Sequence, residues 1–346
     1  MSIRLQIFTT LSLLFCLVLT SCEQENLSSP IESSKKPKLD ITYSEPPIDI
    51  SEIESRGRRY RYADNLEYNT VHSRNKFDIF TLSGNKPTPL VIFIHAGGFV
   101  GGDKRQAYET PENIRTFLMS GIAFATINYR LLDDTDKGVI TSLGDITRAL
   151  QYIRYHAEDF NIDPNRISCF GVSAGAGSSF WLATRDDMAN PNSNDPVERE
   201  STRITSAVSL AGQATYDIVQ WETIFEPFGF KIDDPVQDQE TLYLFYGIDT
   251  VEEVYTPELE AYRKEVDMLA WMDKDDAPIY IYNSGPPTAP STDYNGDLYH
   301  HPFHAMAIDE VADQVGIEHQ IYRPGMGHMD PANETPVEFT IRHLKR

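Results

Sequence analysis

Cysteine is scarce in this chain, with three in 346 residues. Cys16 lies inside an N-terminal apolar run, Cys22 just after it, and Cys169 in a central apolar stretch, so no pair is placed to form a disulfide framework. The fold must hold by burial alone, and a domain of roughly 285 residues can bury about three quarters of its unfolded surface. Basic residues are also in deficit: 30 Lys and Arg stand against 52 Asp and Glu, a formal net charge of −22. Such a surface repels nucleic acid and anionic lipid, which argues against both as partners. The apolar stretch from Ile7 to Leu19 is too short for a comfortable membrane span. There is no internal repeat and no dinucleotide-type Gly-x-Gly-x-x-Gly after the first strand. His300, His301 and His304 lie close together, but no second cluster completes a metal-ligand set. No metal and no cofactor is expected.

What the chain does have is an apolar run, Ile167 to Phe170, feeding directly into Gly171-Val172-Ser173-Ala174-Gly175. A serine at the tip of a tight strand-to-helix turn presents its hydroxyl, and the turn closes only if its flanking residues are small. The helix that follows adds positive potential where charge would develop on a substrate oxygen. Upstream, the buried-strand pattern Pro89–Ile94 empties into His95-Ala96-Gly97-Gly98-Phe99-Val100-Gly101-Gly102. Consecutive glycines let backbone N–H groups turn toward a ligand, so Gly97, Gly98 and Ala174 are the candidate oxyanion donors.

A nucleophilic serine needs a base and an orienting acid, in the chain order Ser, Asp or Glu, His. Arg323-Pro324-Gly325-Met326-Gly327-His328 follows a short strand-like run and precedes a helix start at Thr335-Pro336-Val337-Glu338. That position makes His328 the candidate base. The acid is expected on the long loop after Pro278–Tyr282, where Asp297 and Asp293 compete. Asp297 stands before a proline-headed helix and is favoured, and Asp293 remains the alternative.

Apolar runs at Leu90–Ile94, Ile122–Ile127, Ile167–Phe170, Ala207–Leu210, Pro278–Tyr282 and Gln320–Tyr322 alternate with helix-like segments. This pattern predicts an α/β fold with a mostly parallel sheet covered on both faces. Ile146, Leu150, Ile153, Ala157 and Phe160 mark one helical face. Residues 59–70 and 76–82 read as antiparallel edge strands. The stretch 217–275 is far longer than an ordinary connection and is rich in aromatics, so it reads as an insertion or cap between late strands. Its aromatics would line an acyl pocket or, for most of them, pack the insertion onto the sheet.

Together these segments resemble the α/β-hydrolase fold, in the carboxylesterase branch of the esterase and lipase superfamily that includes hormone-sensitive-lipase-like and feruloyl- or acetyl-esterase-like enzymes. The resemblance runs from about Tyr60 to the end and includes Asn128-Tyr129-Arg130-Leu131 as a strand end. Ala96 departs from the family's glycine loop, and the acid loop is longer than usual. The resemblance implies that Ser173 attacks an ester carbonyl while His328 takes its proton and Asp297 (or Asp293) orients the imidazole. The substrate would be a small-molecule or carbohydrate ester with a short-chain or aryl acyl group. A peptidase or lactonase would keep the same triad, and a non-catalytic binding protein on a degenerate hydrolase fold is the remaining alternative.

Leu19-Thr20-Ser21-Cys22, after Arg4 and an apolar run, resembles a bacterial lipobox. That resemblance implies cleavage before Cys22, lipidation of its thiol and a place in the cell envelope, with contact to membrane only through the anchor. The expected organisation is a lipoprotein signal over 1–21, a flexible tether rich in Ser, Pro, Lys and Glu over 22–55, and the hydrolase domain over 56–346.

Overall fold

A strand covered on both faces needs no polar side, and Pro89–Ile94 has none. In the computed structural model, which describes residues 36, 38–294 and 296–346, this run lies in strand β3 (Thr88–Ile94), every residue of which is buried. Around it stand β1 (Tyr60–Glu67), β2 (Lys76–Leu82), β4 (Ala123–Ile127), β5 (Ile162–Val172), β6 (Ala207–Leu210), β7 (Ile279–Tyr282) and β8 (His319–Tyr322). They form one eight-stranded sheet in the order β1-β2-β4-β3-β5-β6-β7-β8. The β1–β2 and β2–β4 pairs are antiparallel and the remaining pairs parallel. The mostly parallel sheet is the one the alternating runs predict, and the architecture is the α/β-hydrolase fold that the resemblance implies.

Alternation along β3 divides the core. Leu90, Ile92 and Ile94 pack with Leu143, Ile146 and Leu150 of the helix Val139–Tyr155 and with Phe180 of the helix Ala174–Thr184. Val91 and Phe93 pack on the other face with Phe117 of Pro111–Met119 and Phe339 of Pro336–Leu344. Ala157 and Phe160, expected on the same helical face as Ile146, fall instead in a separate short helix, Ala157–Phe160, after a break at His156. The last helix starts as its sequence requires. Thr335 Oγ1 accepts from Glu338 N–H at 3.2 Å, and the Glu338 carboxylate accepts from Thr335 N–H at 2.9 Å.

Leu39–Arg346 form one compact unit, so the packed chain begins inside the stretch expected to be tether. Ile48, Ile50 and Ile53 are buried, residues Ser51–Ser55 make a helical turn, and Ser44 N–H donates to Tyr62 O at 2.8 Å. These isoleucines give the edge beside β1 an apolar cover that the surrounding Pro and Ser residues concealed in the composition. The signal segment 1–21 and Cys22 lie outside the described residues.

The stretch 217–275 carries the helices Ile218–Ile224, Gln239–Tyr246, Pro257–Glu265 and Met268–Trp271. Trp221, Phe225, Phe230 and Tyr246 build a third apolar cluster there, which also takes in Leu298 and Phe303.

Candidate active site

Ser173 occupies the bend between β5 and the helix Ala174–Thr184, with φ at +52° and ψ at −115°. A non-glycine residue held there is strained, and strain of this kind persists only where the surroundings dictate it. They do so here. A side chain at Gly171 would run into the carbonyl of Gly175, and one at Gly175 into the carbonyl of Ile94 at the end of β3. Ser173 N–H donates to Leu210 O at 2.9 Å, tying the bend to β6.

The glycine loop after β3 is anchored by His95, Tyr129 and Arg74. The His95 ring stacks on Tyr129 with centroids 4.3 Å apart, and its Nδ1 lies 2.7 Å from Ala96 O. Burial pushes the His95 pKa down to about 4, so this imidazole is scaffold rather than charge. Tyr129 O–H donates to His95 O at 3.0 Å, and Arg74 donates to Gly102 O at 2.9 Å. Gly97 and Gly98 both take positive φ, +125° and +60°. Gly98, Ser173 and Ala174 line a common cavity. Neither the Gly98 N–H nor the Ala174 N–H is engaged in another hydrogen bond among the described residues.

The hydroxyl of Ser173 has a partner: its Oγ lies 2.8 Å from His300 Nε2. His300 is partly buried, and that burial lowers its pKa below the ordinary histidine value, favouring the neutral, proton-accepting ring. The expected pair of Ser173 with His328 is not made. Arg323 N–H donates to His328 O at 2.9 Å and His328 N–H to Arg323 O at 3.2 Å, closing a tight turn at the end of β8. That turn holds His328 beside β8, and its imidazole makes no hydrogen bond or ion pair among the described residues. Asp297 lies on the helical turn Gly296–Tyr299 and lines the same cavity as His300, without a hydrogen bond to either imidazole. Asp293 is exposed on the loop, where its N–H donates to Ser291 Oγ at 3.0 Å.

The BD-FAE family model matches residues 77–284, well over half of the chain. The chain belongs to the BD-FAE family. The matched stretch holds the glycine loop and the serine bend and ends just past β7, before His300 and His328 alike. Among curated relatives, gut esterase 1 of Caenorhabditis elegans is 28% identical over 204 residues, covering 51% of this chain and 35% of its own length. Juvenile hormone esterase of Tribolium castaneum is 37% identical over 103 residues, covering 28% of this chain and 17% of its own. The chain thus spans about a third or less of these relatives. The solved structure of a truncated carbohydrate esterase from gut microbiota superposes with a TM-score of 0.61 at 16% identity, covering 90% of this chain and all of that one. At that identity the likeness is one of fold.

This BD-FAE chain also has a residue that sequence reasoning passed over. Asn283, the first residue after β7, is fully buried, and its Nδ2 donates to Gly212 O at 3.0 Å, His300 O at 3.2 Å and His301 O at 3.3 Å. It pins the backbone of the histidine that meets Ser173. The other two histidines of the cluster have separate duties. His301 Nδ1 accepts from Phe303 N–H at 3.1 Å to cap the helix Pro302–Val315, and its Nε2 lies 3.1 Å from Thr288 O. His304 is buried edge-on to Trp221, and burial drives its pKa down to about 3. The signal for His300 was its place just before a proline-headed helix.

Proposed function

We propose that this chain is a serine carboxylic-ester hydrolase. The observation that carries the reading is the Ser173–His300 hydrogen bond, set between a glycine loop and a strained serine bend. In this reading Ser173 Oγ attacks the ester carbonyl and His300 Nε2 takes its proton. The Gly97, Gly98 and Ala174 N–H groups hold the oxyanion. His300 then returns the proton to the leaving alcohol, and water attacks the acyl-enzyme through the same base. Asp297, the carboxylate in the cavity of His300, is the proposed acid, acting on the imidazolium by its charge and without a hydrogen bond to the ring.

The substrate we infer is an aryl or short-chain acyl ester of a carbohydrate. Two things support it: a family named for feruloyl and acetyl esterases, and fold likeness to a carbohydrate esterase. The cavity lined by Ser173 and the one lined by His300 also differ in character. One is walled by Phe99, Tyr216, Trp221 and Phe245, the other by Ser284, Thr288, Asp297 and His301. We further propose that Cys22 is lipidated and the enzyme anchored to the bacterial envelope, a reading supported by the Leu19–Cys22 sequence alone.

The test is Ser173→Ala assayed on p-nitrophenyl acetate beside labelling of both proteins with a fluorophosphonate. We expect turnover to fall by at least about 10⁴-fold and labelling to vanish in the variant. A variant keeping more than about a tenth of the wild-type kcat removes Ser173 from the mechanism. A wild-type protein that neither labels nor hydrolyses any ester leaves a binding protein on a hydrolase fold.

A further inference from the structure

The cavity beside Ser173 is apolar along most of its wall, where Ile218 and Leu242 join the aromatic residues. Of the polar side chains that interrupt it, Gln237 and Tyr299 have incomplete hydrogen bonding. Gln237 is only 5% exposed. Its Nε2 donates to Asp238 O at 3.1 Å and to Tyr299 Oη at 3.0 Å. A carbonyl only accepts, so the Asp238 contact fixes which end of the amide is nitrogen. Gln237 Oε1 is therefore left buried, with no donor among the described residues. The Tyr299 hydroxyl accepts from Gln237, and its own hydrogen meets no acceptor among the described residues. A buried polar atom without a partner costs about 1–3 kcal/mol, so an acceptor and a donor left open together need a reason.

The group that completes both at once is one that donates and accepts, which is a hydroxyl. Which half of the ester carries it follows from the base. His300 must face the leaving oxygen to protonate it, and His300 lines the polar cavity. The alcohol half thus occupies the polar side, and the acyl half fills the apolar one. We propose that Gln237 and Tyr299 select esters whose aromatic acyl group bears a hydroxyl, Gln237 Oε1 accepting its hydrogen and Tyr299 O–H donating to its oxygen. This rests on the esterase reading above.

The experiment compares kcat/KM for methyl para-hydroxycinnamate and methyl cinnamate in the wild type, Gln237→Met and Tyr299→Phe. Each protein's rate on methyl cinnamate is the denominator, so a general loss of folded enzyme cancels. We expect the wild type to prefer the hydroxylated ester about tenfold, and each substitution to bring the ratio close to one. A wild-type ratio near one, or a ratio unmoved by both substitutions, overturns the proposal and leaves the esterase reading intact; the open atoms then hold an ordered water only. Should the wild type hydrolyse neither ester, p-nitrophenyl acetate decides the esterase reading separately, and calorimetry on Ser173→Ala decides the pair. Binding of para-hydroxycinnamate about tenfold tighter than cinnamate supports the proposal, and equal affinity overturns it.

Discussion

Replacing His300 by alanine, beside the same replacement at His328, tests which imidazole activates Ser173. The size of the loss follows from the surroundings of the ring. General-base catalysis by a positioned side chain contributes about 10²–10⁴ in rate, and a carboxylate that fixes the tautomer adds about 10⁴. Among the described residues no carboxylate touches His300, so its removal forfeits the first contribution and not the second. We expect kcat on p-nitrophenyl acetate to fall about 10²–10⁴-fold in His300→Ala, about 3–5 kcal/mol at the barrier, with KM little changed. His328→Ala should stay within about threefold of wild type, because its imidazole makes no hydrogen bond or ion pair with another described residue. The pH profile gives an independent reading. The neutral ring is the active form, and burial lowers the His300 pKa, so the fall in kcat/KM on acidification should be centred below the ordinary histidine value of 6.5. An acidic limb centred above that value, or a large loss in His328→Ala with His300→Ala near wild type, refutes the assignment and returns the base to the end of β8.

Two further expectations concern stability. Asp78, 2% exposed, accepts from Asn65 N–H at 2.7 Å, Lys104 Nζ at 2.9 Å and Tyr108 O–H at 2.7 Å. Asp78→Asn strands the buried Lys104 ammonium and should cost about 3–5 kcal/mol in denaturant unfolding, whereas a loss below about 1 kcal/mol would show that water reaches the pair. Thr335→Ala removes one half of the capping box on the last helix and should cost about 1 kcal/mol by the same measurement, with no change in kcat.

Much of this molecule is written in local pattern. The central strand announced itself because a parallel strand covered on both faces is an unbroken apolar run, as Leu90–Ile94 is. The serine bend was legible for a similar reason: the close approach of Gly171 to Gly175 is a contact between near neighbours in the chain. The partner of Ser173 is a different matter. His300 is 127 positions away, and which histidine arrives depends on the path of a loop that has no periodicity to read. His328 carries a strong local signature, glycine-flanked after the last strand, but its turn closes on Arg323 through backbone bonds that any residue type makes. The same limit hid the packing of residues 39–55. Ile48, Ile50 and Ile53 are too widely spaced among prolines and serines to mark a core segment, and only the edge they cover gives them one.

The amide of Asn283 has a consequence for how such a site can change over generations. Its bonds to His300 O and His301 O join positions 17 and 18 apart, so the intervening loop is stitched shut at its base. Lengthening a loop closed in this way costs little, about 0.6 kcal/mol for each doubling. Ser284, Gly285, Pro286, Thr288 and Tyr294, which wall the polar cavity, all lie inside the stitch. Insertions and substitutions there can rebuild the chamber that receives the alcohol while the imidazole keeps its distance from Ser173. Diversification of what is accepted is thereby uncoupled from inheritance of the reacting pair, and one buried asparagine separates the two.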